Sequence, residues 1–142
     1  MPAPFRLSII NPSAIRFDGD VDIVVAPGAA GDLGVYVNHA PMLTTLRPGV
    51  VSANAVAGAE AKAEAGRVRF AVDSGFMQIL ADKVIILTDA ALRPEDVNVE
   101  EARADLRRAE EALAQKRGAD DRAERHALAW AQARLDVTQR PV

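Results

Sequence analysis

Hydrophobic and polar positions follow two different periods along the chain, and the change from one to the other divides it. Up to about residue 92 the period is two. "GRVRFAVD" (66–73) places Val68, Phe70 and Val72 on one side and Arg67, Arg69 and Asp73 at other positions. "EAKAEA" (60–65) sets Ala61, Ala63 and Ala65 against Glu60, Lys62 and Glu64. This alternation turns one face of a strand inward and the other to water. "KVIILTD" (83–89) is instead a continuous apolar run, which predicts a strand buried on both faces. Turn formers separate the runs: Asp18-Gly19, Pro27-Gly28, Pro48-Gly49, Gly58, Gly66 and Ser74-Gly75. Asp18-Gly19, between "AIRF" and "DVDIVV", suits a two-residue hairpin turn, which needs positive φ at its centre. About eight to ten short strands at this spacing predict an antiparallel sandwich or flattened barrel.

Beyond Pro94 the period becomes helical. Asn98 followed by Glu101 reads as the start of a helix. Val99, Ala102, Leu106, Ala109 and Leu113 then form one narrow stripe. Gly118 stops this helix and Asp120 caps a second, where Leu128, Ala131 and Leu135 repeat the spacing. Two helices joined by a short loop run antiparallel. The expected fold class is therefore β + α, with a sandwich over residues 1–92 and a helical hairpin over 93–142. Eleven alanines between residues 99 and 135 let the two backbones approach closely. They also bury little area, at roughly 25 cal/mol per Å². Such a hairpin can detach at modest cost, which makes it a candidate moving part.

Composition narrows the function. The net charge of -3 argues against nucleic acid as a partner. The absence of cysteine removes disulfides, thiolate nucleophiles and Cys-ligated metals together. The first residues lack the pattern of a signal peptide, and no stretch reaches the ~20 apolar residues of a membrane span. Membrane association is therefore expected only through a partner.

The segment "GDLGVYVNHAP" (31–41) holds His39, one of two histidines. A general base needs a nucleophile or substrate proton within reach, and a zinc site needs three or four ligands. Only His126 could supply a second imidazole, and no spacing singles out Asp32 or Asp89 as companions. His39 thus reads as a structural or contact residue. Glu100-Glu101, Glu110-Glu111 and Asp120-Asp121 read as solvated helix charge, with Arg107 and Glu111 as an i,i+4 pair. Trp130 is expected to pack against the sandwich or within the hairpin. No constellation makes an active site, so the residues point to a binding or regulatory module.

"GDLGVYVNHAPMLTTLRPG" resembles the signature segment of the epsilon-subunit family of bacterial F-type ATP synthases. "FDGDVDIVVAPG", "FAVDSGFMQILADKVIILTDAA" and "VEEARADLRRAEEAL" resemble the family in the same order. The resemblance implies a non-catalytic central-stalk subunit that turns with gamma on the c-ring, at the cytoplasmic face of the bacterial inner membrane. Its hairpin would lie compact against the sandwich, or extend towards the alpha/beta hexamer and restrain hydrolysis. On this reading Asp32 faces the c-ring, and His39, Ala40, Pro41 and Met42 contact the partners. Gly31 and Gly34 would shape the turn that presents them. Arg103, Arg107, Arg108, Arg122 and Arg125 are candidate hairpin contacts. Relatives with a regulatory ATP site carry Ile/Leu-Asp-x-x-Arg-Ala; here Arg103 and Ala104 match, while Val99 and Glu100 depart from it. No cofactor is required, and the longer Glu100 counts against that ATP. Two rival readings are a ligand- or carbohydrate-binding sandwich, which lacks an aromatic platform, and a small hydrolase using His39.

Overall fold

A computed structural model describes residues 3–56, 66–117 and 120–139. The expected strand at 60–65, Gly58 and the helix stop at Gly118 lie outside the described residues. Nine strands are present among those described: β1 (Phe5–Asn11), β2 (Ala14–Gly28), β3 (Gly31–Val35), β4 (Met42–Leu46), β5 (Gly49–Ala55), β6 (Gly66–Val72), β7 (Gly75–Ile79), β8 (Lys83–Leu87) and β9 (Ala91–Leu92). A short 3-10 turn, Pro94–Asp96, leads into α1 (Val99–Lys116) and α2 (Arg122–Thr138).

The long strand β2 joins two layers. Its first half pairs with β1, from Asn11↔Ala14 to Phe5↔Val21. Its second half pairs with β3 on one edge and β5 on the other. One layer then continues from β1 through β8 and β7 to β4, and the other from β5 through β6 to β9. Leu7, Ile9, Met77, Ile79, Val84 and Ile86 from the first layer meet Val24, Val35, Val51, Phe70 and Val72 from the second, all buried. Phe17 meets Phe70 edge to face, with ring centroids 6.1 Å apart. Each such side chain contributes roughly 1.5–3 kcal/mol, so these rows are what hold the layers together.

Three expectations need correction. Asp18-Gly19 is not a turn; β2 runs straight through it, with Asp18 opposite Ser8 and Gly19 opposite Leu7. The turn falls instead at Pro12-Ser13, where the Asn11 Oδ1 accepts the N–H groups of Ser13 and Ala14. Asp18 is used as a strand residue, held by Arg6 through two bonds of 2.8 and 2.9 Å and by the Ser8 hydroxyl. Second, β1 and β8 pair in parallel, closing the first layer through a contact remote in sequence. Third, β8 is buried on one face only: Val84 and Ile86 enter the core, Ile85 is half-buried and Leu87 is half exposed.

Arg6 holds the Asp18 carboxyl below the ordinary carboxylate value, with burial opposing and Ser8 assisting. The carboxylate therefore stabilises the fold above the unfolded-chain value of about 3.9, and that stability is lost as pH falls through the lower native value. Asp18→Asn is expected to flatten the acid limb of the urea midpoint below about pH 4. An unchanged acid limb would refute the assignment.

The hairpin follows its sequence closely. The Asn98 Oδ1 accepts the Glu101 N–H at 3.1 Å, as an N-cap should. Arg117, at φ 46, takes the left-handed position that ends α1. The Asp120 carboxylate accepts the Arg122 N–H, while the N-cap position itself is Asp121. Arg134 reaches Asp105 at 3.0 Å and Lys116 reaches Glu124 at 3.6 Å, so the helices run antiparallel. Ala102, Ala109 and Ala131 are buried in the hairpin. Only α2 forms the main footing on the sheet: Ala133 and Val137 pack on Ala71, with Val50, Val97 and Trp130 around them.

Candidate functional site

The segment expected to act as one loop is divided by the fold. Gly31 and Asp32 open β3, while His39 to Met42 lie beyond its far end. The four steps from Gly31 to Val35, at about 3.3 Å each, make a strand of roughly 13 Å that runs between them. Gly31 has φ 140 where β2 turns into β3. Gly34 instead lies within the strand opposite Val25, and the bend near His39 comes from Asn38 at φ 63. The His39 N–H closes that bend on the Tyr36 carbonyl at 3.3 Å, and the Asn38 N–H ties it to Ala81 at 2.9 Å. The His39 Nδ1 lies 2.8 Å from the Ala40 carbonyl, and no carboxylate pairs with the ring among the described residues. Those residues hold no cluster of metal-ligating side chains either. A base would need an orienting group and a proton to take; His39 has a local backbone contact.

Asp32 is exposed, and Arg47 holds it at 2.7 Å. The same guanidinium donates to the Gly28 carbonyl, and the Arg47 N–H to Pro27. Arg47 thereby fixes the hairpin end that presents the acid. Nothing in the local spacing announces Arg47, because the two residues meet across separate strands.

The largest feature that sequence reasoning missed is a bare apolar sheet face. Thr45 lies opposite Phe76, Phe76 opposite Leu87, Leu87 beside Ile10, and Ile10 opposite Ile15. These five positions form one row across β4, β7, β8, β1 and β2, pointing away from the core. Ile15 is 65% exposed, Leu43 69%, Phe76 52% and Leu87 50%. The hairpin covers the opposite layer, at β5 and β6, and leaves this one open. A groove of about 600 Å³ at its edge is lined by Ile10, Thr45, Phe76 and Leu87 among others. The signal was present in "KVIIL": it has apolar side chains for two faces, and the second face waits for a cover. Contiguous exposed apolar area of this kind is the mark of a protein or membrane contact or of a ligand groove.

On the hairpin, the candidate arginines differ. Arg103 pairs with Glu100 at 3.1 Å, Arg108 with Asp105 at 3.0 Å, and Arg125 with Asp121 at 3.0 Å. Arg122 pairs with Asp120 at 2.8 Å. Hydrogen bonds from the Arg122 side chain and then its N–H lower the Asp120 carboxyl, and the Asp120 bond raises the guanidinium. Arg107 pairs with no carboxylate among the described residues, so the expected pair with Glu111 does not form; a cation placed N-terminal to an acid is the weaker order on a helix. Among the described residues, Arg107 is the one of the five candidates whose guanidinium meets no carboxylate. Arg103 and Ala104 lie on α1, Arg103 outward and engaged with Glu100. Trp130 packs as expected, with Arg134 5.2 Å over its ring. No helix among the described residues is long and apolar enough to cross a membrane.

Residues 4–94 match the family described as ATP synthase, Delta/Epsilon chain, beta-sandwich domain. The chain is 40% identical over 111 residues to the ATP synthase epsilon chain of Pelotomaculum thermopropionicum, covering 78% of this chain and 77% of that one. It is 35% identical over 139 residues to the ATP synthase epsilon chain of Ruminiclostridium cellulolyticum, covering 97% and 98%. Its fold is similar to that of a chain in the cryo-EM structure of Euglena gracilis mitochondrial ATP synthase, OSCP/F1/c-ring in rotational state 1. That likeness has a TM-score of 0.71 at 20% identity and covers 96% of this chain and 81% of the other.

Proposed function

Because the chain belongs to the ATP synthase delta/epsilon family, we propose that it couples the gamma subunit to the c-ring in a bacterial F-type synthase. It is a non-catalytic chain of the central stalk, and it works by fixing one rotor part to another. The observation that carries the reading is the open apolar row Phe76–Leu87–Ile10–Ile15. A solvated module has no use for it, whereas a rigid joint to gamma does. Asp32, braced by Arg47, is the contact to the polar loops of the c-ring. His39, Ala40, Pro41 and Met42 stand at the other end of β3 and extend the gamma contact. The complex holds the chain at the cytoplasmic face of the inner membrane.

Residues 1–92 then form the coupling domain and 93–142 a regulatory arm. The arm's footing is one helix wide, and its seam is rich in alanine, so its release leaves the sandwich core intact. Arg107, with Arg103, Arg108, Arg122 and Arg125, is the basic set that meets acidic loops of the alpha/beta hexamer when the arm extends. No regulatory ATP is required for this.

The test is co-assembly. The full chain and a chain ending at Asp96 are both expected to form a stable 1:1 complex with gamma. ATP hydrolysis in the enzyme assembled with the shorter chain is expected to be unchanged or raised. Failure of the full chain to bind gamma would overturn the coupling role. Unfolding of the shorter chain would show the helices to be part of the core.

A further inference from the structure

Among the described residues, polar contacts tie the hairpin to the sandwich at two points along α2, and they differ in chemistry. At its C-terminal end the Arg69 guanidinium, from β6, donates to the carbonyls of Asp136 at 3.2 Å, Val137 at 3.0 Å and Gln139. These carbonyls lie at the helix end, where Asp136 also accepts the Gln139 N–H, and a cation suits that end of the helix dipole. This clamp carries charge at every physiological pH.

Near the other end, the His126 Nε2 lies 2.7 Å from the Asp73 Oδ1. Asp73 follows β6 in a stiff turn: its N–H bonds to Ala90 at 3.1 Å, and Ser74 and Gly75 after it both have positive φ. The Oδ1 is shut off from water and accepts no aligned hydrogen bond among the described residues. A buried carboxylate oxygen without a hydrogen bond is costly unless a positive charge faces it. Imidazole is the side chain whose charge changes in the physiological range. We propose that His126 and Asp73 form a proton-dependent latch: protonated His126 holds the arm on the sandwich, and deprotonation releases its grip.

Most other charges around this footing are already engaged. Arg93 lies over the Phe70 ring at 4.8 Å, and Asp96 accepts the Arg93 N–H. Lys116 of α1 pairs with Glu124, and Arg134 with Asp105. On α2 and its approach, Arg122 and Arg125 pair with Asp120 and Asp121. Glu95, on the short turn, is exposed, and Asp89 is exposed on the groove beside Phe76 and Leu87. The sign follows from the charge. The contact is an ion pair only while the imidazole carries a proton, so docking is tighter on the acid side and the arm opens more often on the alkaline side. A cytoplasm that turns acidic would thus hold the arm compact.

The latch rests on the reading of the hairpin as a movable arm, but its test uses the isolated full-length chain. The chain contains no cysteine. Dyes can therefore be placed on Arg67→Cys of β6 and Glu110→Cys of α1, both exposed positions. Energy transfer then reports the ratio of docked to open arm, in the parent and in Arg69→Ala, where loss of the clamp increases opening. The ratio is expected to fall about two- to five-fold from pH 5.5 to pH 8, the range for a partly exposed ion pair. His126→Gln and Asp73→Asn should each remove that dependence, while Arg69→Ala keeps it and shifts the ratio at every pH. A flat profile in both parent and Arg69→Ala, or a pH dependence that survives His126→Gln, overturns the latch. The truncation at Asp96 in the assembled enzyme tests the regulatory arm separately, so the two failures can be told apart.

Discussion

Gly75→Ala is expected to destabilise the sandwich by about 3–5 kcal/mol, the sum of backbone strain and a steric clash. Gly75 has φ +136, a conformation that side chains with a Cβ rarely adopt. A methyl group added there would stand 1.9 Å from the Leu87 carbonyl oxygen and 2.9 Å from the Thr88 Cα. Both are backbone atoms at the end of the β7–β8 pairing, where Phe76 faces Leu87, so neither can swing aside. Against a total of about 5–15 kcal/mol, such a loss leaves a small margin or none. The measurement is the urea or thermal midpoint by circular dichroism, and a fall of roughly 15–30 °C is expected. Gly34→Ala is the control: an added Cβ there meets nothing within 4 Å, and the backbone lacks a positive φ. It should cost less than about 1 kcal/mol. Equal effects at the two positions would refute the clash argument.

The same turn shows what a sequence reveals and what it withholds. Ser74-Gly75 was legible as a turn, because those residue types favour positive φ. That Leu87 presses on it was not, since the contact joins positions twelve residues apart through strand pairing. Val68, Phe70 and Val72 were legible as a core row, and Asn98 as a helix cap, because each signal is local. Asp18-Gly19 failed for the opposite reason. Its local turn preference lost to a long pairing with β1 and to the Arg6 and Ser8 bonds on Asp18. The parallel β1–β8 contact and the brace of Arg47 on Asp32 are products of topology. No window of neighbouring residues contains them.

The candidate site divides along the same line. The glycines and Asp32 stood out by their types, yet their roles depend on which strand end they occupy. The latch pair, Asp73 and His126, is separated by the whole of α1. Neither residue is unusual where it stands in the chain. Their meaning appears only when α2 folds back on β6 and one carboxylate oxygen loses its water.

Converting the apolar row to charge should have the largest effect on assembly. With Phe76→Asp and Leu87→Asp combined, the dissociation constant for gamma is expected to rise by about 10²–10³-fold, or roughly 3–4 kcal/mol. Two terms add. Each lost side chain forfeits its share of burial, and each new carboxylate must shed water against an apolar partner surface. Both residues are already half exposed in the free chain, and they face outward from β7 and β8. The variant should therefore fold with its midpoint moved by less than about 1 kcal/mol. Calorimetric titration against gamma reads the affinity, and circular dichroism checks the fold. Asp32→Lys, at the end proposed to meet the c-ring, is the matched control and should leave gamma affinity near its parent value. A double variant that binds gamma as tightly as the parent would mean that this face is not the joint. The continuous apolar writing of residues 83–87 would then need another cover. A weakened but salt-sensitive complex would point to charge steering instead, because burial of apolar surface is indifferent to screening. The expected result is a loss of affinity that is the same at low and high salt.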